Sequence, residues 1–444
     1  MLKILQNRAF RHMFSAQIVA LLGTGLSTVA LGLLAYDLTG GDASMVLGAV
    51  FGIKMVAYVG IAPIAGAFAG FVPRRKLLVG LDCIRAVVAC LLPFVGEVWQ
   101  IFVLIFLMQA ASAAFTPTFQ ATLPDILPEE KDYTRALSLS RLAYDMESII
   151  TPTLAALVLL VASYHELFYG TAIGFIGSGL LILSVALPKP KRDSKRRSIY
   201  ERTTRGIKIY LKTPRLQGLL ALCMVVASIG AMVLVNSVVL VQAVLGLDEI
   251  YLPFTIGAFG LGSMVMALIL PRLLDVIPDR VAMLSGAGAM VLALSSLGVA
   301  AWTGLFVWGV MLVCWFLIGA GYSAVLTPSG RLLQRSSHEE DRPAIYAAQF
   351  ALSHACWLTC YPLAGFLQTS FGVGVASLVL SVIGFVSLII ARQLWPAGAM
   401  RSPYHTHPDL PDNHPHLQDI DHAHGHAHIF VIDDHHMQWP HMKA

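Results

Sequence analysis

Long apolar stretches separated by short polar connections dominate the chain. Each stretch spans roughly 20 residues or more, the length that a helix needs to cross the hydrocarbon core of a bilayer. The stretches fall near residues 14–36, 45–71, 77–96, 101–123, 142–163, 167–187, 217–246, 251–271, 281–301, 305–326, 344–367 and 372–395. The pattern therefore predicts an all-α membrane protein with twelve transmembrane helices.

A basic, polar segment divides these stretches into two sets of six. The predicted organisation is an N-terminal six-helix bundle at residues 1–187, a basic linker at 188–216, a C-terminal six-helix bundle at 217–396 and a tail at 397–444. Two states stay open for the linker: an interfacial helix on anionic lipid, or a solvated connection. The two sets also resemble each other at one constant offset, where Thr116, Pro117, Glu129 and Ala136 match Thr327, Pro328, Glu340 and Ala347.

The charges of the connections predict the orientation of the chain. Of all residues, 57% are hydrophobic and only 13% are charged, against about 25% charged residues in soluble domains, which excludes a soluble fold. Alternate connections contain no Lys or Arg, whereas the opposite ones contain nearly all of them. Because basic loops stay in the cytoplasm, both termini and the linker are predicted to be cytoplasmic, with the protein in the inner (plasma) membrane. The net charge of +4 then reports orientation rather than nucleic-acid binding.

Two short motifs accompany the six-plus-six spans. Span five carries a motif centred on Pro152. The loop after span two has Arg74 and Arg75 without an acidic residue, and the loop after span eight has Asp275 and Arg280. With these features the chain resembles, over residues 1–395, the major facilitator superfamily, in particular its proton-driven exporters, whose loop motif normally includes an acidic residue. The resemblance implies two bundles that rock about a midplane site, with these four residues as gating-loop candidates. A monomer is expected.

Few ionisable side chains fall inside the predicted spans, where charges mark ion or substrate paths. The candidates for transport and proton coupling are Glu147, His354, Lys54, Asp145 and Arg141. Glu147 ranks first, because a carboxylate that is neutral when desolvated and charged when hydrated changes state as a cavity opens. The alternative for each is a polar group that joins two helices, and it is favoured for Arg141 with Asp145 and for Asp82 with Arg85. Neutral polar candidates for lining the path are Gln109, Asn236, Gln242 and Gln349.

Histidine is concentrated in the tail, which holds eleven of the fifteen in the chain. Imidazoles with nearby carboxylates on a polar backbone suit Ni, Zn, Cu, Fe and Co. The predicted metal ligands are His405, His407, His414, His416, His422, His424, His426, His428, His435, His436 and His441. The alternative is a disordered polar tail that contributes nothing to transport. The apolar run at residues 429–432 favours partial docking of the tail on the body.

An exporter-like body with a His-rich tail resembles the nickel-resistance branch of the superfamily. That resemblance implies export of Ni(II), or of Co or Fe, by alternating access with proton antiport. In that case the metal is substrate and tail ligand, with no permanently bound cofactor. Two alternatives stay open: an exporter of a siderophore, a metal chelate such as iron citrate or another small organic molecule, and a metal-sensing membrane protein that does not transport. No nucleophile, phosphate-binding glycine loop or closed metal-ligand spacing in the loops supports an enzyme.

Overall fold

The structure, a computed structural model, describes residues 2–68, 73–187, 199–337 and 342–395, with residues 404–405, 426–427 and 432 of the tail. Six long helices form the N-terminal half: α1 (Arg8–Thr39), α2 (Ala43–Phe68), α3 (Arg74–Leu91), α4 (Val98–Ile126), α5 (Glu130–Leu159) and α6 (Tyr164–Leu183). The second half consists of α7 (Ile199–Lys212), α8 (Pro214–Val239), α9 (Tyr251–Leu273), α10 (Asp279–Trp302), α11 (Trp308–Leu326), α12 (Ser329–Arg335) and α13 (Arg342–Leu394).

Within the described ranges, nine apolar segments are long enough to cross a membrane. Two of them, at residues 8–61 and 345–394, have 54 and 50 residues, enough for two crossings each. Inside α13 the helix breaks at Gly372, whose φ of 78° lies in the left-handed region that glycine adopts without strain. The helix α5 carries several charges and is not among the nine. The all-helical membrane fold is thus confirmed, and the number twelve stays a prediction.

Small residues let neighbouring helices pack closely, as membrane helices require when burial in lipid alone provides no drive for association. A Cβ on Gly174 of α6 would lie 2.9 Å from the carbonyl oxygen of Val19 in α1. The Thr171 hydroxyl of α6 donates to the carbonyl oxygen of Gly23 at 2.8 Å. Glycine therefore fixes the contact between the first and last helices of the N-terminal half.

The basic linker contains a helix, α7, that packs against the C-terminal half. Ile209 and Tyr210 of α7 are buried, and the Tyr210 hydroxyl donates to Gln349 in α13. The helix predicted as one of two states of the linker is present. This part of its apolar face, however, is covered by α8 and α13 rather than by lipid.

The connections define two ends of the molecule. We call the end with Arg74, Arg75, Arg215, Arg280 and Arg335 the basic end, and the end with Asp37, Asp42, Glu97, Glu166, Asp248 and Glu249 the acidic end. The halves meet tightly toward the acidic end, where α2 packs on α13. A Cβ on Gly48 would lie 2.7 Å from the carbonyl oxygen of Tyr361, and one on Gly52 would lie 3.1 Å from Cγ of Pro362.

At the basic end, ion pairs join the start of the third long helix of each half to the end of the fourth long helix or to the short helix that follows it. In the N-terminal half Arg74 pairs with Asp125 of α4 at 2.5 Å. In the C-terminal half the polarity is reversed, because buried Asp279 of α10 pairs with Arg331 and Arg335 of α12. The acidic residue that the first loop lacks is thus replaced by one from α4.

The four gating-loop candidates have different contacts in the structure. Asp275 is exposed, and the carboxylate that binds the arginines is that of Asp279, four residues later. Arg280 instead donates from Nε to the carbonyl oxygen of Trp395 at 2.6 Å, and Arg75 donates to the carbonyl oxygen of Leu183. Both of these arginines therefore bind the ends of helices, whose carbonyl groups lack helical partners.

Only fragments of the tail are described. Two short strands, β1 (Tyr404–His405) and β2 (His426–Ala427), pair antiparallel with His405 opposite His426. Ile432 is buried within the apolar core, in line with the predicted docking of its segment. The other predicted ligands lie outside the described residues: His407, His414, His416, His422, His424, His428, His435, His436 and His441.

Candidate transport cavity

A cavity of about 500 Å³ lies between the two halves. Toward the acidic end the cavity is closed by contacts between the halves, including those of Gly32 with Val238 and Leu252. Side chains from both halves line it, and the polar and charged ones among them come mainly from α1 to α5. Those that carry the following argument are Lys54, Arg85, Glu147, Thr151, Trp357 and Tyr361.

Glu147 of α5 lies against α1 where α1 carries no side chain. A Cβ on Gly25 would lie 2.5 Å from Oε1 of Glu147 and 2.5 Å from the Thr151 hydroxyl oxygen. Glu147 and Thr151 are one turn apart, so they share a face of α5. The Thr151 hydroxyl is buried and has no hydrogen-bond partner. Gly25 thus provides the room in which the carboxylate stands at the cavity wall.

Lys54 of α2 lines the same cavity and interacts electrostatically with Glu147. Its ammonium lies 5.9 Å from the ring centroid of Tyr58, within the range of a cation–π contact. Glu147, the first-ranked coupling candidate, and Lys54, a further candidate, are therefore brought together by α2 and α5.

Arg85 of α3 adds a second cation to the lining. The guanidinium donates from Nη2 to Asp82, and Asp82 also accepts from the Ser178 hydroxyl of α6 at 2.8 Å. Cζ of Arg85 lies 4.3 Å from the ring centroid of Phe115 and 4.4 Å from that of Phe175. Asp82 joins α3 to α6, as the structural alternative predicted, whereas Arg85 also reaches the cavity.

Aromatic side chains supply much of the lining from the C-terminal half. Trp357 and Tyr361 of α13 have ring centroids 4.8 Å apart, and Tyr361 also lies 5.1 Å from Phe51 of α2. Trp357 needs the absence of a side chain on α8, because a Cβ on Gly230 would lie 2.5 Å from its Cη2. Such surfaces bind flat or apolar parts of organic molecules.

The other predicted site residues lie elsewhere. His354 stacks on Tyr58 with centroids 5.6 Å apart and is bonded through Nδ1 to the carbonyl oxygen of Phe350 at 2.7 Å, between the halves but outside the lining. Gln109, Asn236, Gln242 and Gln349 are not among the lining residues either. Asn236 instead donates to Ala364 at 3.3 Å and Gln349 to Cys223 at 3.3 Å, so both join helices of one half. The side chains of Arg141 and Asp145 lie outside the described residues.

Sequence reasoning missed the parts of this cavity that depend on packing between distant segments. Gly25 and Gly230 have no chemistry of their own, and their role emerges only when α5 and α13 lie against them. The Asp82 and Arg85 spacing signalled an ion pair but not its place on the lining. Within the described ranges, no three His, Cys, Asp or Glu side chains are grouped so that they could hold a metal ion.

Comparison with known proteins identifies the family. The family model of the Major Facilitator Superfamily matches residues 13–312. The chain belongs to the Major Facilitator Superfamily. It is thus a multi-pass membrane transporter, and members of this superfamily are not enzymes. The predicted resemblance at the level of the superfamily is confirmed.

The chain is similar to two curated relatives and two solved structures at low sequence identity. The uncharacterized MFS-type transporter YfiS of Bacillus subtilis is 24% identical over 347 residues, covering 74% of this chain and 80% of its own. Macrolide efflux protein A of Streptococcus pyogenes is 24% identical over 185 residues, 40% of this chain and 45% of its own. A point mutant of the nucleoside transporter NupG has a TM-score of 0.70 at 12% identity, and a bacterial Spinster homologue in an inward-facing conformation has 0.67 at 10%. The two similarities cover 87% and 88% of this chain and 100% and 99% of the solved chains. At 12% and 10% identity they show the shared fold alone.

Proposed function

We propose that this chain exports an amphipathic organic molecule by alternating access, in exchange for protons that Glu147 accepts. The observation that carries the proposal is the central cavity itself. Its volume of about 500 Å³ lies in the range of small-molecule sites, and it combines an aromatic wall with a few convergent polar groups. Macrolide efflux protein A, which is similar to part of the chain, favours export as the direction.

Glu147 suits the coupling role because it is the one carboxylate among the lining residues described. When the cavity is closed and dry, the neutral acid is favoured, and when the cavity is hydrated the carboxylate is favoured. Lys54 stabilises the charged form in the absence of substrate. If Glu147 takes up a proton after the substrate has been released, each cycle exchanges substrate for a proton.

A bare divalent metal ion fits the lining poorly. Transition metals need several imidazole, thiolate or carboxylate ligands within bonding distance, and the described lining offers one carboxylate beside two cations, Lys54 and Arg85. Of the interpretations that the sequence left open, export of an organic molecule or a chelate therefore takes precedence over export of Ni(II). Metal binding by the His-rich tail stays a separate proposal.

The orientation of the protein in the membrane follows from the charges at its two ends. We assign the basic end to the cytoplasm by the positive-inside rule, in the inner (plasma) membrane of a bacterium. The closed contact at Gly48, Tyr361 and Pro362 then faces away from the cytoplasm, and the structure corresponds to the state that receives substrate from inside. A single chain contains both halves of the cavity, so we propose that a monomer is the working unit.

Accumulation measurements in cells test the proposed export. An efflux-deficient bacterium that overproduces the protein should accumulate less erythromycin than cells that produce the Glu147→Gln variant at equal level, with no difference in cellular nickel. A proton-conducting uncoupler should abolish the difference. Lower nickel with unchanged erythromycin would instead support the metal exporter, and no change in either would contradict export of both.

A further inference from the structure

Two hydroxyl-bearing residues of α1 lie on the cavity wall next to the place where Glu147 stands. Thr24 and Thr28 are one turn apart, and both line the cavity and are partly exposed. Between them in sequence lies Gly25, where a Cβ would come within 2.5 Å of Oε1 of Glu147. Ser27 of the same helix is buried and is not among the lining residues. The exposed face of this part of α1 therefore presents two threonines beside the carboxylate.

The hydrogens of these two hydroxyl groups are already used within the helix. Thr24 donates to the carbonyl oxygen of Ala20 at 2.9 Å, and Thr28 donates to that of Thr24 at 3.1 Å. A carbonyl group cannot donate, so in each bond the hydrogen must come from the hydroxyl. A hydroxyl oxygen that donates still has lone pairs with which it accepts. Both threonines can therefore offer the cavity an acceptor but no donor.

Ser112 of α4 repeats this arrangement on a second wall. It lines the cavity, is partly exposed, and donates to the carbonyl oxygen of Met108 at 3.0 Å. Thr118 and Thr122, farther along α4, make the same kind of bond but are 0% exposed and lie outside the lining. In α4, as in α1, the partly exposed hydroxyl-bearing residues are thus those on the cavity side.

The charged form of Glu147 adds a carboxylate to this surface, and a carboxylate also only accepts. We call Thr24, Thr28, Ser112 and Glu147 the acceptor patch. Within the protein itself, Lys54, whose ammonium carries three N–H donors, is drawn toward Glu147. A proton on Glu147 turns one of the acceptors into a donor. Protonation therefore opposes the binding of a donor group at the patch, as an exchange of substrate for a proton requires.

We infer that the acceptor patch binds an N–H or O–H group of the transported molecule. The inference rests on the proposed function and specifies its substrate class, namely amphipathic molecules that carry hydrogen-bond donors. The aromatic side chains of Trp357 and Tyr361 in the C-terminal half bind the flat or apolar part of the same molecule. An acceptor without a donor in reach loses its hydrogen bond to water and gains nothing in return, so molecules without donors bind less well.

Two dyes of similar shape separate donor recognition from charge. Rhodamine 6G and tetramethylrhodamine ethyl ester are flat cations of equal charge with the same xanthene core and the same ester group. The first carries two N–H groups, whereas the second has fully methylated nitrogens and no donor. Attraction by Glu147 and repulsion by Lys54 act equally on both. The dyes also differ in ring methyl groups, so the measure is how the ratio of their Kd values changes between protein variants.

Fluorescence polarisation with purified, full-length protein gives both Kd values. Thr24→Val combined with Thr28→Val keeps the shape of the side chains and removes both acceptor oxygens. The Kd for rhodamine 6G should rise about tenfold, which corresponds to about 1.4 kcal/mol. The Kd for tetramethylrhodamine ethyl ester should stay within about twofold. Ser112→Ala removes the third hydroxyl and should raise only the Kd for rhodamine 6G, by about threefold.

Thr359→Val is the matched control. Thr359 of α13 donates to the carbonyl oxygen of Ala355 at 2.8 Å, the same kind of bond, but it is exposed and is not among the lining residues. This variant removes a hydroxyl from a membrane helix without touching the cavity. The Kd values of both dyes should equal those of the wild-type protein.

The outcomes separate this inference from the proposed function. An unchanged Kd for rhodamine 6G in the folded threonine double variant or in Ser112→Ala, or an equal change for both dyes, would overturn the acceptor patch while export of erythromycin stands. Failure of the wild-type protein to bind rhodamine 6G would also overturn it. If the ratio changes as expected but a pH gradient moves neither rhodamine 6G nor erythromycin, the proposed export fails and the acceptor patch stands.

Discussion

Gly25 and Glu147 are in van der Waals contact across the interface between α1 and α5, and a Cβ on the glycine would lie 2.5 Å from Oε1 of the carboxylate. A methyl group at this position must therefore displace Glu147 together with Thr151, which lies equally close. We expect Gly25→Ala to lower the rate of proton-coupled transport by tenfold or more, since displacements of about 1 Å at a reacting group have effects of this order or larger. Initial rates in proteoliposomes measure the effect.

Gly60→Ala is the matched control for this prediction. Gly60 lies on α2, and a Cβ there would meet nothing within 4 Å. Its transport rate should equal that of the wild-type protein. If Gly25→Ala transported as fast as Gly60→Ala, the carboxylate would not need the position that the structure gives it.

The ion pairs of Asp279 should contribute measurably to stability. Asp279 is 5% exposed and accepts from Arg331 and Arg335, so Asp279→Asn leaves two arginines without their carboxylate. Hydrogen bonds to charged groups are worth about 1.5–3 kcal/mol, and the two arginines are partly exposed, so we expect a loss near the lower bound. The midpoint of thermal unfolding of detergent-purified protein measures it.

Asp275→Asn serves as the control for Asp279, because Asp275 is exposed on the same loop. Its effect should lie within about 0.5 kcal/mol, as for most surface substitutions. Equal destabilisation by both variants would show that the general charge of the loop matters rather than the specific pairing of Asp279.

Acid should favour closure of the acidic end. Glu249 lies between α8 and α9, where burial and then the carboxylates of Asp37 and Asp248 raise its pKa, while His165 lowers it. A group with a raised pKa in the closed form binds its proton more tightly there than in the open form. The closed form is therefore favoured as the pH falls through the raised pKa and disfavoured as the pH rises.

Labelling of a buried cysteine detects this pH dependence. In a protein without the exposed Cys83 and Cys90, an impermeant maleimide added from the acidic end should label Val238→Cys more slowly, relative to the exposed Gly41→Cys, as the pH is lowered. The ratio of the two rates cancels the pH dependence of the thiol itself, because the thiolate is the reactive form of both cysteines. Glu249→Gln should flatten the dependence, and Asp42→Asn, an exposed neighbour at the same end, should not. A pH profile of Glu249→Gln that matches the wild-type profile would assign the effect to another group.

The tail should bind metal without taking part in transport of the organic substrate. Replacement of its eleven histidines by glutamine should abolish nickel binding by the purified protein, because amide side chains are poor ligands for transition metals. Deletion of residues 401–444 should do the same but also removes Ile432, which is buried in the core. Erythromycin transport should survive the glutamine replacements, and its loss would place the histidines in the transport cycle.

Much of the fold followed from the sequence because membrane helices are specified by local composition. The start of α9 at Tyr251 and the end of α11 at Leu326 agree with the predicted spans. The prediction ended the first span at residue 36 and began the fifth at residue 142, whereas α1 reaches Thr39 and α5 begins at Glu130. These differences arise because helices continue past the apolar stretch into polar surroundings, where a hydropathy signal ends but backbone hydrogen bonding does not.

The site was predictable only in its charged members. Glu147 and Lys54 were recognisable because ionisable groups are rare in spans, and both line the cavity. Gln109, Asn236 and Gln349 were equally polar, yet they lie outside the lining, because hydropathy does not report which side of a buried helix faces a cavity. That distinction depends on how α4, α8 and α13 pack, which no local pattern encodes.

The central claim is that Glu147 couples proton movement to export of an organic molecule through the cavity. Its most direct test is erythromycin movement in proteoliposomes under an imposed pH gradient, with wild-type protein and Glu147→Gln compared at equal incorporation. The account predicts uphill movement by the wild-type protein, and binding without any response to the gradient by the variant. Gradient-driven movement by Glu147→Gln at the wild-type rate, or movement of Ni(II) in place of erythromycin, would contradict it.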